Sequence, residues 1–189
     1  MSIHKFGSLG FGGLVLLVPQ AAFAHSGGHA AGDAASSFWF GVLHPLAGLD
    51  HLCTMVMVGV LAWQLGGRAS YLLPAAFVAM MLFGGALGVY GVPLSLAEGG
   101  IALSMVGLGA VVALGIRLPT ALAAAMVGLI AVLHGHVHGA EMPAAAAPLA
   151  YGLGFTLTTL GLQAAGIVFG LTISRIVKEN VVRDIPESR

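Results

Sequence analysis

The sequence predicts an all-α membrane protein: a polytopic helix bundle of five transmembrane helices that follows a cleavable signal peptide. Apolar residues make up 58% of the 189 residues and charged residues only 7%, and the mean hydropathy is +0.99. A soluble domain carries about a quarter charged residues, so this chain lacks the polar surface needed to face water. Apolar runs of about 20 residues, the length that a bilayer core requires, alternate with short polar breaks. A chain of this length is expected to form one domain.

Composition also excludes several classes of function. The formal net charge is zero, so the chain lacks the basic surface of a nucleic-acid-binding protein. Cys53 is the single cysteine, which excludes an intrachain disulfide and a four-cysteine or CxxC metal site. No GxxxxGK phosphate loop occurs, and we expect neither ATP hydrolysis nor another enzymatic activity. The eight histidines stand out against seven basic and seven acidic residues.

Residues 1–24 have the layout of a secretory signal peptide. A short start containing Lys5 precedes the apolar stretch Leu9–Val18, and the segment closes on Ala-Phe-Ala at Ala24. This pattern predicts cleavage before His25. The alternative is an uncleaved first helix.

After cleavage, residues 25–37 would form a flexible extracytoplasmic arm, rich in Gly, Ser and Ala. Its His25 and His29 are candidate metal ligands. A free α-amine beside the imidazole of His25 would make a compact chelate, so we interpret the arm as a metal-collecting segment.

The transmembrane domain is predicted to cover residues 38–174. The apolar runs predict spans at about 38–64, 71–90, 96–115, 119–137 and 148–174. Gly84 with Gly88, and Gly166 with Gly170, have the small-xxx-small spacing that allows helices to pack closely in membranes.

Charge predicts the orientation of these spans. If the arm is outside, five crossings leave a basic tail, residues 175–189, in the cytoplasm. Every Lys and Arg of the mature chain then lies on the cytoplasmic side, as the positive-inside rule requires. These residues are Arg68, Arg117, Arg175, Lys178, Arg183 and Arg189. We therefore expect a multi-pass protein of the bacterial inner membrane, with its N-terminus extracytoplasmic and its C-terminus cytoplasmic.

The segment HPLAGLDH places His44, Asp50 and His51 inside the first predicted span. An ionisable residue within a membrane is expensive and marks a functional site. Imidazole and carboxylate together are ligands for Ni, Co, Zn or Cu(II), whereas calcium and magnesium prefer all-oxygen sites. Met55 and Met57 leave Cu(I) open as an alternative.

The spacing of these residues leaves two geometries open. His44 and His51 share one face of a regular helix but lie about 10 Å apart along it. Pro45 and Gly48 favour a break in the helix, which would allow a single site. A straight helix would instead hold two successive sites, with His51 about 19 Å below its outer end. We favour the broken helix.

A second segment, LHGHVHGAE, contains His134, His136, His138 and Glu141. The predicted spans place it at the outer end of the fourth span and in the loop that follows. Its two glycines would let the chain turn back toward the first span. Alternating histidines are also common in loose chelating tracts, and this is the main alternative for His136.

With both segments in view, the sequence resembles the HupE/UreJ family of bacterial nickel permeases. The resemblance covers the whole chain and includes a His-bearing mature start, an HPxxxxDH-type signature and an HGxxHGxE-type signature. Glu98, near the outer end of the third span, is similar in position to an acidic residue in an inner span of the family. The candidate metal ligands are His25, His29, His44, Asp50, His51, Glu98, His134, His138 and Glu141. His136 lies at a variable position of the second signature, and no role is carried over to it.

The resemblance implies uptake of Ni²⁺, with Co²⁺ as the second ion, for metalloenzymes such as hydrogenase or urease. Zn²⁺ shares the same ligands and stays open. A membrane potential supplies ~2.3 kcal/mol per charge per 100 mV, so a divalent ion gains ~4.6 kcal/mol, or roughly thousandfold accumulation. Proton coupling through Asp50, Glu98 or the histidines is an alternative source of energy.

Three other classes of protein use similar residues. A haem electron carrier would pair His44 or His51 with His134. A membrane metalloenzyme would use the same ligands, but the sequence contains no HExxH motif. A partner subunit of a larger metal transporter would bind the ion without carrying it alone.

Overall fold

The computed structural model describes residues 33–95 and 97–183. For Glu98 and residues 177–183, it describes the backbone only. The predicted signal peptide and the arm histidines His25 and His29 lie outside the described residues. Every regular element in the described part of the chain is a helix, which confirms the all-α class. The helices are α1 (Ala34–Ala47), α2 (Leu49–Leu65), α3 (Ala69–Val89), α4 (Ala97–Ala113), α5 (Thr120–Ala140) and α6 (Pro148–Arg183).

The helices are those of a polytopic membrane bundle. Helices α3 and α5 and the Pro148–Ile176 part of α6 are each long and apolar enough to cross a bilayer. Helices α1 and α2 are long and apolar enough to cross a bilayer only when they are taken together as a bent pair. Helix α4 is also apolar, but with 17 residues it is shorter than a full crossing. The structure thus supports three or four full-length crossings among the described residues, and five stays a prediction.

The first predicted span is broken at Gly48, as its sequence predicts. Helix α1 ends at Ala47, Gly48 has an extended backbone (φ −106°, ψ 123°), and α2 begins at Leu49. The axes of α1 and α2 differ in direction by 84°. The depth of about 19 Å assumed a straight helix and is therefore wrong, because His51 lies in the first turn of α2.

Glycines bring α3 and α5 into backbone contact. A Cβ atom on Gly84 would collide with the carbonyl oxygen of Val132, and one on Gly88 with that of His136. From the other side, a Cβ atom on Gly139 would collide with the backbone of α3. The predicted Gly84–Gly88 contact is thereby confirmed, and it fixes the last turns of α5 against α3.

Helix α6 packs against α1 and α2 in turn. A Cβ atom on Gly166 would strike the carbonyl oxygen of Val56, and one on Gly170 would strike the ring of Trp63. This confirms the second predicted glycine pair. Nearer the start of α6, the hydroxyl of Thr158 donates to the carbonyl of Val42 in α1. Helix α6 therefore runs alongside both halves of the broken first span.

Candidate metal centre

The last two turns of α5 carry the second histidine segment. Helix α5 continues to Ala140, so the prediction that His138 follows the helix in a loop is wrong. The physical reason is that Gly135 and Gly139 do not form turns. Instead they allow the α5 backbone to touch α3, with a Cβ atom on Gly135 colliding with the carbonyl oxygen of Met81. His134 and His138 consequently lie four residues apart on one face of α5.

Four imidazoles form one contiguous group, which we call the imidazole cluster: His44, His51, His134 and His138. The ring centroid of His138 lies 4.8 Å from that of His44 and 4.2 Å from that of His51. The centroid of His134 lies 5.2 Å from that of His51. The break at Gly48 makes this possible, because it brings His44 and His51 to the same buried imidazole. One cluster, not two separated sites, is what the geometry shows.

Carboxylates flank the cluster at two points. The Nε2 atom of His44 lies 3.4 Å from a carboxylate oxygen of Glu141, and the Nδ1 atom of His51 lies 2.7 Å from that of Asp50. The side chain of Glu141 is 56% exposed and that of Asp50 is 40% exposed. His44, His138 and Glu141 each offer one ligand atom, and these three atoms lie within 4.8 Å of one another.

The hydrogen bonds of the histidines determine which nitrogen is free. Nδ1 of His51 faces a carboxylate, and Nδ1 of His134 lies 2.9 Å from the carbonyl oxygen of Ile130. Because both partners are acceptors, both Nδ1 atoms are assigned as donors, which leaves a lone pair on each Nε2. Neither Nε2 atom, nor either ring nitrogen of His138, has a hydrogen-bond partner among the described residues.

This arrangement suits a cation. Buried acceptors without partners cost about 1–3 kcal/mol each, and a metal ion would satisfy several at once. Asp50 takes the position of a supporting carboxylate that orients His51, a common arrangement behind metal-bound imidazoles. The same carboxylate offsets part of a divalent ion's charge.

Sequence reasoning did not identify the aromatic wall around the cluster. The ring of Phe155 lies 4.3 Å from that of His138, and the ring of Tyr151 lies 6.0 Å from that of His44. The signal was available, since Tyr151 and Phe155 are four residues apart at the start of the last predicted span. Aromatic side chains lower the local dielectric constant, so each ion–ligand interaction beside them is stronger.

His136 stands apart from the imidazole cluster. The Nε2 atom of His136 lies 2.7 Å from the carbonyl oxygen of Val92, so this buried imidazole ties α5 to the α3–α4 connection. It makes no ring contact with the imidazole cluster within the described chain. Glu98 is the second residue of α4, and its side chain lies outside the described residues.

An apolar groove of about 550 Å³ reaches the cluster between α3, α5 and α6. His138 is its one ionisable imidazole, and Met81, Tyr151 and Phe155 are among its other lining residues. A hydrated cation is therefore not attracted to this side. The exposed carboxylate of Glu141 offers the favourable approach.

Comparison with known proteins gives two matches. The family model described as HupE / UreJ protein matches residues 14–185 of the chain. Protein HupE of Rhizobium leguminosarum bv. viciae is 43% identical over 167 residues, which cover 88% of this chain and 84% of that protein. No solved structure matches the chain.

Proposed function

The chain belongs to the HupE/UreJ family, and from this premise we propose that it is a permease that takes up Ni²⁺ across the bacterial inner membrane. The family consists of transporters, which implies a non-enzymatic role. The observation that carries the proposal is the imidazole cluster, in which nitrogens of His51, His134 and His138 are buried without partners among the described residues and carboxylates lie at the edge. The imported ion would supply a metalloenzyme such as hydrogenase or urease.

The donor set supports a borderline transition metal as the transported ion. Imidazole suits Ni²⁺, Co²⁺ and Zn²⁺, whereas an oxygen-only site would suit Mg²⁺ or Ca²⁺. Family membership favours nickel among these three ions. The proposed ligands are His44, His51, His134 and His138, with Glu141 as the entry carboxylate and Asp50 behind His51. Glu98 is retained as a candidate at the start of α4.

The order in which the ion would meet its ligands follows from the exposure of their side chains. Glu141 is the most exposed member of the site and would meet the ion first. His44 lies next to it, followed by His138, His51 and the fully buried His134. Each imidazole contacts the next, so the ion could exchange ligands stepwise without regaining a full hydration shell.

We propose the topology predicted from the sequence as the setting for this route. Residues 1–24 are a signal peptide and 25–37 an extracytoplasmic arm. The transmembrane domain, 38–174, crosses five times, with α1 and α2 as a broken first crossing and α4 as a short third one. Residues 175–189 are a cytoplasmic tail. An inside-negative potential then drives the divalent cation inward.

Uptake by the purified chain tests the proposal. Vesicles containing only this protein should accumulate Ni²⁺ when an inside-negative potential is imposed, and protein-free vesicles should not. Co²⁺ and Zn²⁺ are tested in parallel to rank the ions. Absence of accumulation of any of the three ions would contradict transport by this chain alone.

Orientation is tested with single cysteines. The natural Cys53 is exposed and must first be replaced by serine. Cysteines introduced at Arg68 and Arg117 should then react with an impermeant reagent only from the cytoplasmic side, and one at Pro143 only from outside. The opposite pattern would place the entry carboxylate on the wrong side of the membrane.

A further inference from the structure

A second group of donor atoms lies beyond the imidazole cluster, between α2, α3 and α6. The hydroxyl oxygen of Thr159 is 3.5 Å from the sulfur of Met55 and 3.6 Å from the sulfur of Met81. Thr159 and Met55 are completely buried, and Met81 is 3% exposed. The hydroxyl proton reaches only one sulfur at a time, so the three side chains do not satisfy one another fully.

On α2 and α6 this group lies one helical turn beyond His51 of the cluster and beyond Phe155, which packs on the cluster. Met55 follows His51 by four residues on α2, and Thr159 follows Phe155 by four residues on α6. Residues four apart lie on one helix face, about 6 Å apart along the axis. Met81 reaches the same group from α3 through its sulfur, and its backbone carbonyl lies against Gly135 of α5. The three donors therefore form a group next to the imidazoles, displaced one turn further along α2 and α6.

Buried polar groups continue one turn further along α6. Gln163 is 1% exposed, and neither its amide nitrogen nor its amide oxygen has a hydrogen-bond partner among the described residues. A Cβ atom on Gly59 would collide with the carbonyl oxygen of Gln163, so this turn packs directly on α2. By helical rise from Pro148, Thr159 is about 17 Å and Gln163 about 23 Å along α6, which places them on either side of the middle of the span.

An unpaired amide at this depth needs a physical reason. In a protein interior such a group is destabilising, and leucine would fill a similar volume without that penalty. Polar residues retained inside membrane proteins mark the paths of ions and substrates. The position of Gln163, in line with Thr159 and the cluster, extends the path of the ion inward.

The distances around Thr159 also fit ion coordination. Bonds of about 2.3 Å to sulfur and about 2.1 Å to oxygen at a tetrahedral angle separate the two ligand atoms by about 3.6 Å. Thioether, hydroxyl and amide groups are neutral and are weaker ligands for Ni²⁺ than imidazole with a nearby carboxylate. A weak site after a strong one favours release, since conduction requires binding that is weak enough for the ion to leave.

We propose that Thr159, Met55 and Met81, followed by Gln163, form a second, weaker cation-binding site through which the ion leaves the imidazole cluster. We call this set the inner site. The inference rests on the proposed function, because it concerns the path of the same ion. It assigns these four residues to transport and not to core packing alone.

The test uses four nearly volume-conserving variants in reconstituted vesicles: Thr159→Val, Met55→Leu, Met81→Leu and Gln163→Leu. Met57→Leu is the matched control, because Met57 lies on the same helix but packs toward Gly109 of α4. Two quantities are measured for each protein: the initial rate of Ni²⁺ uptake at saturating ion, and equilibrium Ni²⁺ binding in detergent.

We expect each inner-site variant to bind Ni²⁺ within about twofold of the wild type, because the imidazole cluster is intact. Its maximal uptake rate should fall about tenfold, equivalent to ~1.4 kcal/mol in barrier height. Met57→Leu should leave both quantities unchanged. Gln163→Leu should also melt no lower than the wild type, since it removes an unpaired buried amide, so its loss of rate would not reflect unfolding.

Three outcomes would overturn the inference. If all four variants transport like Met57→Leu, the residues only pack the core. If binding falls in parallel with transport, they belong to the imidazole site itself. If wild-type vesicles accumulate no divalent ion, the proposed function fails and the inner site fails with it. Thr159→Val is the smallest change, so its uptake rate tests the inner site if a methionine variant does not fold.

Discussion

Replacing His138 with alanine should separate the imidazole cluster into two parts. His138 is 4% exposed and lies between His44 and His51, at 4.8 and 4.2 Å between ring centroids. Neither of its ring nitrogens has a hydrogen-bond partner among the described residues. The substitution therefore removes the central proposed ligand without breaking a hydrogen bond of that side chain.

The magnitude follows from the free energy of metal sites. A four-ligand structural zinc site contributes about 10–16 kcal/mol, or roughly 3 kcal/mol for each ligand. At ~1.4 kcal/mol per tenfold change, loss of His138 should weaken Ni²⁺ binding about 100-fold. Uptake at limiting Ni²⁺ should fall by a similar factor.

His136→Ala is the matched control. It removes an equally large, buried imidazole two residues away, together with the 2.7 Å contact to the carbonyl of Val92. Without metal, His136→Ala should therefore destabilise the fold at least as much as His138→Ala, by about 0.5–1.5 kcal/mol for the hydrogen bond alone. Ni²⁺ affinity should show the opposite order, with only His138→Ala severely weakened.

Calorimetric titration with Ni²⁺ gives the affinities, and thermal unfolding of the metal-free proteins gives the stabilities. Equal losses of affinity in the two variants would refute the reasoning, because burial and not ligation would then determine binding. A wild-type affinity in His138→Ala would remove this residue from the site.

Three further predictions concern charge, packing and the arm. Asp50→Asn keeps the size of the side chain but removes a charge next to His51, so Ni²⁺ uptake should be lost while the protein persists in the membrane. Normal uptake at limiting Ni²⁺ would exclude a role of the Asp50 charge in transport. Gly88→Ala would press a methyl group against the α5 backbone, and because overpacking of this kind costs about 1–3 kcal/mol, the melting temperature should drop. An unchanged melting temperature would show that α3 and α5 can separate freely. Alanine at both His25 and His29 should lower the uptake rate at scarce Ni²⁺ and leave the maximal rate unchanged, when uptake is measured in cells across a range of Ni²⁺ concentrations. Loss of the maximal rate would instead place the arm in the permeation site.

The class of protein and the donor types of its candidate site were predictable from the sequence alone. Composition and the length of the apolar runs were sufficient to predict an all-helical membrane bundle, because in lipid few other structures form hydrogen bonds to all backbone polar groups. The residue types in the two histidine segments predicted a borderline transition metal as the ligand. Proline and glycine in the first segment also predicted the broken helix, and the spacing of Gly84 and Gly88 predicted a close contact.

How these residues come together depends on contacts between helices that are distant in the sequence. Periodicity places His44 and His51 on one helix, but the 84° bend determines that both reach His138. Local turn preferences suggested a loop around His138, whereas glycine contacts with α3, distant in sequence, keep α5 helical to Ala140. The layer around Thr159 has no local signature, because it is formed by single side chains from three helices. Helix periodicity specifies which residues share a face, and only the packing of faces distant in the chain specifies which of them meet.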